Sequence, residues 1–223
     1  MAGKGPPLGR EGDDCVRTRI LLGMALALGL AATSRANPIG PNCGTCQGSI
    51  YEITYTGTPQ PDLDPNHETW RITYTIDTTG YNGGGTHLDT VALKVSAQLT
   101  AASLVSAPGG PSNWNEWMGG LNANGCSGSG SGFDCVAAKA VGTSPVVPGS
   151  VYTWVFDLTV ANGALFTGTD ASTVKARYVD NGGVKVGALV SEAITLEVVP
   201  EPATLALVLF GGSILAARRP QRR

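Results

Sequence analysis

Four groups of residues in this chain have the types and spacing to do chemistry. The first is Cys43-Gly44-Thr45-Cys46, with further cysteines at Cys126 and Cys135. A Cys-x-x-Cys pair can cycle between thiol and disulfide, hold zinc, or close a ring. The redox use needs a βαβ setting, which the flanking sequence lacks. A four-cysteine zinc site needs a second close pair, and Cys126 and Cys135 are too far apart to make one. The four cysteines therefore read as two disulfides. Of the three pairings we favour Cys43–Cys46 with Cys126–Cys135. A bridge from the Cys43/Cys46 segment to the stretch holding Cys126 is the rival.

The second group is Asp62-Leu63-Asp64-Pro65-Asn66-His67-Glu68. Asp62, Asp64, Asn66 and Glu68 put oxygen ligands at alternate positions, as calcium loops begin. The sixth position is His67 rather than the Gly of an EF-hand, and the twelfth is Thr73 rather than Glu. Pro59, Pro61 and Pro65 make a rigid turn the competing reading. We expect no cofactor, calcium being the one candidate.

The third group is Trp114 and Trp117, in a glycine-rich stretch. Exposed and coplanar, the indoles would form a platform on which sugar rings stack. Buried, they would pin that stretch onto a core, and a spacing of three also fits one helical turn. The fourth group is His67 and His87, the only two histidines. Two are too few for a catalytic zinc centre unless carboxylates complete it. The chain has no nucleophile elbow, HExxH or phosphate loop. A glycoside hydrolase would need two carboxylates facing across a cleft. We expect a protein that is not an enzyme.

Elements of period two must position these groups. Trp70, Ile72, Tyr74 and Ile76 alternate with Arg71, Thr73, Thr75 and Asp77. Tyr152, Trp154, Phe156, Leu158 and Val160 alternate with Thr153, Val155, Asp157 and Thr159, and residues 91–100 read the same way. Tyr51, Ile53 and Tyr55, and Ile194, Leu196 and Val198, repeat the pattern. β-branched and aromatic residues at this period make half-buried strands. Asp180-Asn181-Gly182-Gly183 reads as a tight hairpin, with Asn-Gly supplying positive φ. Residues 106–132 carry eight glycines and no strand pattern, and read as a long loop. The expected fold is all-β, an antiparallel β-sandwich of the Ig-like or jelly-roll-like kind over residues 37–199.

Both ends look like addresses. Residues 20–32 are an apolar run behind Arg17 and Arg19, followed by Ser34 and Ala36 at the −3 and −1 positions of a cleavage site. A basic start, a short apolar run and a small-x-small exit form a secretory signal peptide, here residues 1–36, cut between Ala36 and Asn37. At ~20 Å as a helix the run is too short to span a ~30 Å hydrocarbon core. The first fifteen residues are polar and partly acidic, so we place the true start at Val16, which leaves Cys15 unmade. The codon at Val16 decides this. At the other end Pro200-Glu201-Pro202 precedes an uncharged run over residues 203–217, a transmembrane helix of ~22 Å, then Arg218 and Arg219. Those arginines would stay cytoplasmic.

Pro200, Glu201 and Pro202, the apolar run with Gly211-Gly212, and Arg218-Arg219 together resemble a PEP-CTERM sorting signal. The resemblance covers about 25 residues at the C-terminus. It implies handling by an exosortase in a Gram-negative bacterium that makes exopolysaccharide, and a body released or attached at the surface. It says nothing about that body's chemistry.

Removing the ends changes the charge. Nine of 15 basic residues and three of 17 acidic residues lie outside 37–202, leaving 6 and 14, a net of −8. That excludes nucleic acid, which needs a positive footprint. The expected partners are the secretion translocon, signal peptidase, the exosortase and exopolysaccharide, with transient membrane insertion through residues 203–217. The expected role is an exported, non-catalytic surface or matrix protein. The alternative is a carbohydrate-binding module acting through Trp114 and Trp117.

Overall fold

Alternation of apolar and polar residues becomes strands wherever one face meets a core and the other meets water. The computed structural model describes residues 38–55, 59–60, 64–128, 130, 132–140, 144–164 and 169–197, all within one compact unit, Ser34–Val199. Its strands are β1 (Ile50–Tyr55), β2 (His67–Asp77), β3 (His87–Lys94), β4 (Leu99–Ser106), β5 (Trp114–Met118), β6 (Gly120–Asn122), β7 (Gly125–Gly128), β8 (Phe133–Ala138), β9 (Val151–Ala161), β10 (Thr169–Val179) and β11 (Val190–Glu197). One sheet has the order β1-β2-β9-β4 and the other β11-β10-β3-β8-β5, with β6 and β7 as a separate ribbon. Their pairings are antiparallel.

The two sheets enclose one core. Trp70, Ile72, Tyr74 and Ile76 of β2 and Trp154, Phe156, Leu158 and Val160 of β9 supply one wall. Val91, Leu93, Val136, Val174, Ala176 and Tyr178 supply the other. Each Val, Leu, Ile or Phe among them contributes roughly 1.5–3 kcal/mol on burial. The opposite face of β2 and β9 is polar and cross-linked: Arg71 donates twice to Asp157 at 2.8 Å, and Thr69 meets Thr159 at 2.9 Å.

One side of the sandwich is closed by the N-terminal segment. Ile39 exchanges backbone hydrogen bonds with Tyr51 of β1, at 2.9 and 2.8 Å. Thr45 donates from its N–H and its hydroxyl to Glu192 of β11, at 3.1 and 2.5 Å. Between them the Cys43–Cys46 disulfide makes a small ring, with Cys46 buried in the core. This strap joins the outermost strands of both sheets. Gly48 lets it dock: φ is +82°, and a Cβ there would lie 2.0 Å from the Gly80 carbonyl oxygen.

Three readings of the sequence are corrected. Residues 91–100 are two strands in different sheets, because β3 ends at Lys94 and β4 starts at Leu99. β3 is covered on both sides, with Ala92 packed under Leu121, Phe133 and Cys135, so its alternation did not mark a solvent face. The stretch 106–132 is no simple loop, since it contains β5, β6 and β7, of five, three and four residues. Strands that short hold too few residues to show a period. In the β10–β11 connection the positive φ falls on Gly183 rather than Asn181, and the Asp180 carboxylate accepts from the N–H groups of Gly182 and Val184 at 2.9 Å.

The signal peptide with Val16, Ala36 and Asn37, the segment Pro200-Glu201-Pro202, the helix 203–217, and Arg218 and Arg219 lie outside the described residues. Among the described residues no helix is long and apolar enough to cross a membrane.

Candidate functional site

β5 is the outermost strand of its sheet and pairs only with β8 among the described strands. Its register sets Trp114 opposite Ala138, Glu116 opposite Val136, and Trp117 opposite Cys135. In a strand, successive side chains alternate faces, so residues an odd number apart point opposite ways. Trp114 turns inward, 4 % exposed, with its ring edge-on to Trp154 at 5.5 Å and its Nε1–H donating to the Pro108 carbonyl at 2.9 Å. Trp117 turns outward and is 44 % exposed. The two-indole platform therefore does not form. Trp114 pins the segment, and Trp117 alone is presented.

The inward face of β5 also carries a carboxyl group. Glu116 shares that face with Trp114, and Asp134 on β8 shares it with Val136 and Ala138. No side-chain donor among the described residues reaches either Asp134 carboxylate oxygen. Burial, and then the negative charge of Glu116, push the Asp134 carboxyl up to about 8. At neutral pH Asp134 keeps its proton. This is a carboxylate pair facing into a core, not across a cleft of the kind glycoside hydrolysis needs.

The outward side of the same sheet is covered by the β6–β7 ribbon. The Cys126–Cys135 disulfide fastens that ribbon to β8. Beneath it lies a buried ion pair: Arg177 donates from Nε to Asp89 Oδ1 at 3.0 Å and from Nη2 to Asp89 Oδ2, and Nη1 donates to the Ala123 carbonyl of the ribbon at 3.1 Å. Asp89 is 2 % exposed and Arg177 is 7 %. A bulge between Arg177 and Tyr178 skips Asp89 in the register with β10 and frees it to meet the guanidinium. Lys175 adds a hydrogen bond to the Leu121 carbonyl at 3.4 Å and lies over the Phe133 ring.

The described calcium candidates are engaged in local contacts. Asp62 lies outside the described residues. Asp64 closes its own turn, accepting from the Asn66 N–H at 2.9 Å and meeting His67 Nδ1 at 2.6 Å. The Asn66 carbonyl accepts from Asn162 at 3.0 Å. Glu68 is on the core face of β2 with Trp70. Among the described residues no group of three or more His, Cys, Asp or Glu could hold a metal ion. His67 and His87 open different strands, and His87 Nδ1 bonds the Thr86 hydroxyl at 3.0 Å.

Both cysteine pairings favoured above are present, and neither is the rival bridge. Sequence reasoning missed buried Asp134 beside Glu116 and the buried Asp89–Arg177 ion pair. Asp134 was detectable, because it falls in the apolar phase of Phe133-Asp134-Cys135-Val136-Ala137-Ala138. Arg177 was not, since it falls in the polar phase of β10 with Thr173 and Lys175.

No family model and no curated protein matches the chain. Among solved structures it is similar to the C-terminal domain of the AgI/II polypeptide BspA of Streptococcus agalactiae, at 14 % identity and a TM-score of 0.36, over 65 % of this chain and 49 % of that one. It is also similar to the collagen-binding subdomain of the Enterococcus faecalis surface protein ACE, at 9 % identity and a TM-score of 0.31, over 66 % and 94 % of the two chains. A third is the sixth cohesin of Acetivibrio cellulolyticus scaffoldin B, at 11 % and 0.32, over 67 % and 99 %. The chain spans about half the length of the first of these. At such identities and TM-scores, nothing those proteins bind carries over to this chain.

Proposed function

We propose that this chain is an exported, non-catalytic surface or matrix protein of a Gram-negative bacterium, with a disulfide-braced β-sandwich as its working part. One observation carries the reading: both peripheral pieces of the sandwich hold a disulfide, Cys43–Cys46 closing a ring within the strap and Cys126–Cys135 tying the ribbon to β8. Such bonds form and persist in oxidising compartments. The N-terminal run at residues 20–32 accounts for export, and Pro200-Glu201-Pro202 with Arg218-Arg219 for sorting by an exosortase. The body crosses the inner membrane, is held there by residues 203–217, and is cut near Pro200 to join the surface or the exopolysaccharide matrix.

Intact mass spectrometry of protein recovered from cells and medium tests this. The expected species starts at Asn37, ends between Pro200 and Pro202, and weighs 4 Da less than its fully reduced form, two hydrogens for each disulfide. A species retaining the tail through Arg223 overturns the sorting reading.

A further inference from the structure

Of the four tryptophans, Trp70, Trp114 and Trp154 are buried and Trp117 is left in solvent. We propose that Trp117 and Asn115, side by side on the outward face of β5, form a binding strip for a neutral polysaccharide chain. The inference goes beyond the export reading, which says only where such a polymer would be met.

Three features support the strip. The first is its rigidity. Trp114 anchors β5 from below, and the residue opposite Trp117 is the disulfide-bonded Cys135. The indole therefore stands on a backbone whose ordering cost was met on folding, which leaves more of the contact energy for a ligand. The second is chemistry. An indole face covers the C–H face of a sugar ring, and an amide two residues along, ~7 Å away, both donates to and accepts from hydroxyls. The open side of β5 leaves a polymer room to continue past the site.

The third is charge, and it selects the ligand. The exposed side chains of β5 on that face, Asn115 and Trp117, are uncharged, Cys135 opposite Trp117 is buried, and Lys139 stands beyond the end of β8. The body around them carries a net of −8. That field repels polyanions such as polyuronates and nucleic acids, while a neutral chain loses little on entering an uncharged strip.

Native affinity electrophoresis of the full-length chain in detergent tests this, with hydroxyethyl cellulose, mixed-linkage β-glucan and dextran as neutral probes and alginate as the polyanion. At least one neutral polymer should retard the protein and alginate should not. Trp117→Ala should raise the apparent Kd at least tenfold, as expected for a central aromatic contact, with the melting temperature unchanged. Trp117→Tyr should recover part of the binding, and Asn115→Ala should weaken it severalfold. No retardation by any neutral probe overturns the proposal. So does retardation that survives Trp117→Ala, or alginate binding that depends on Trp117. None of these outcomes touches the mass-based test of export and sorting, so the two readings fail separately.

Discussion

Trp114 and Trp117, three residues apart on one five-residue strand, lie on opposite faces of it, one in the core and the other in solvent. That odd spacing divides the labour of β5 between holding on and showing outward. Substitution should separate the two roles. Trp114→Ala removes the contact with Trp154 and the bond to Pro108, and should cost about 3–5 kcal/mol in urea unfolding. Trp117→Ala should stay within about 0.5 kcal/mol of the parent. Equal costs would mean that Trp117 is part of the core.

The protonated acid beneath β5 gives stability a pH dependence. Asp134 ionises near 3.8 in the unfolded chain and near 8 when folded. Below about 4 both states hold the proton and its contribution is whole. From there to about 8 only the folded state holds it, so stability falls as pH rises, and above about 8 the loss is complete. Glu116 is the charged group that faces Asp134. Asp134→Asn cannot ionise, so it should gain a few kcal/mol over the parent at pH 9 and nothing at pH 4. Thermal unfolding across that range checks it, and a constant offset between the two proteins would assign Asp134 an ordinary pKa.

These relationships were unequally legible in the sequence. β2 and β9 announce themselves, because each has one face on the core and one in water. β3 does not, because the ribbon covers its second face, and an Ala under a ribbon looks like an Ala in solvent. Asp134 carries a local sign, a carboxylate in an apolar phase. Arg177 carries none, since what buries it is the carbonyl of Ala123, 54 residues upstream. Local pattern records which face of a strand meets the core, but not which distant segment folds over the other face.

The two disulfides should differ in weight. Cys126–Cys135 spans nine residues and Cys43–Cys46 three, so closing them in the unfolded chain accounts for about 3 and about 2 kcal/mol respectively. Replacing Cys126 and Cys135 by Ala should also release the ribbon. Limited proteolysis should then cut between residues 119 and 132, where the parent resists. A ribbon that stays protected would show that Arg177 and Lys175 hold it unaided.

The Asp89–Arg177 pair offers the sharpest test of what the ribbon covers. Asp89→Ala leaves a guanidinium without its counter-charge under a hydrophobic lid, and should cost about 3–5 kcal/mol. Most of that cost is the stranded charge rather than the lost attraction, because two ions taken out of water regain little more than their desolvation. Asp89→Leu combined with Arg177→Met removes both charges and keeps the volume, so it should recover most of the loss. The Ala123 carbonyl would then lack its donor, and hydrogen exchange in β6 and β7 should rise even where global stability returns. If the double variant is no better than the single one, the pair contributes net attraction, and the ribbon depends on charge as well as on its disulfide.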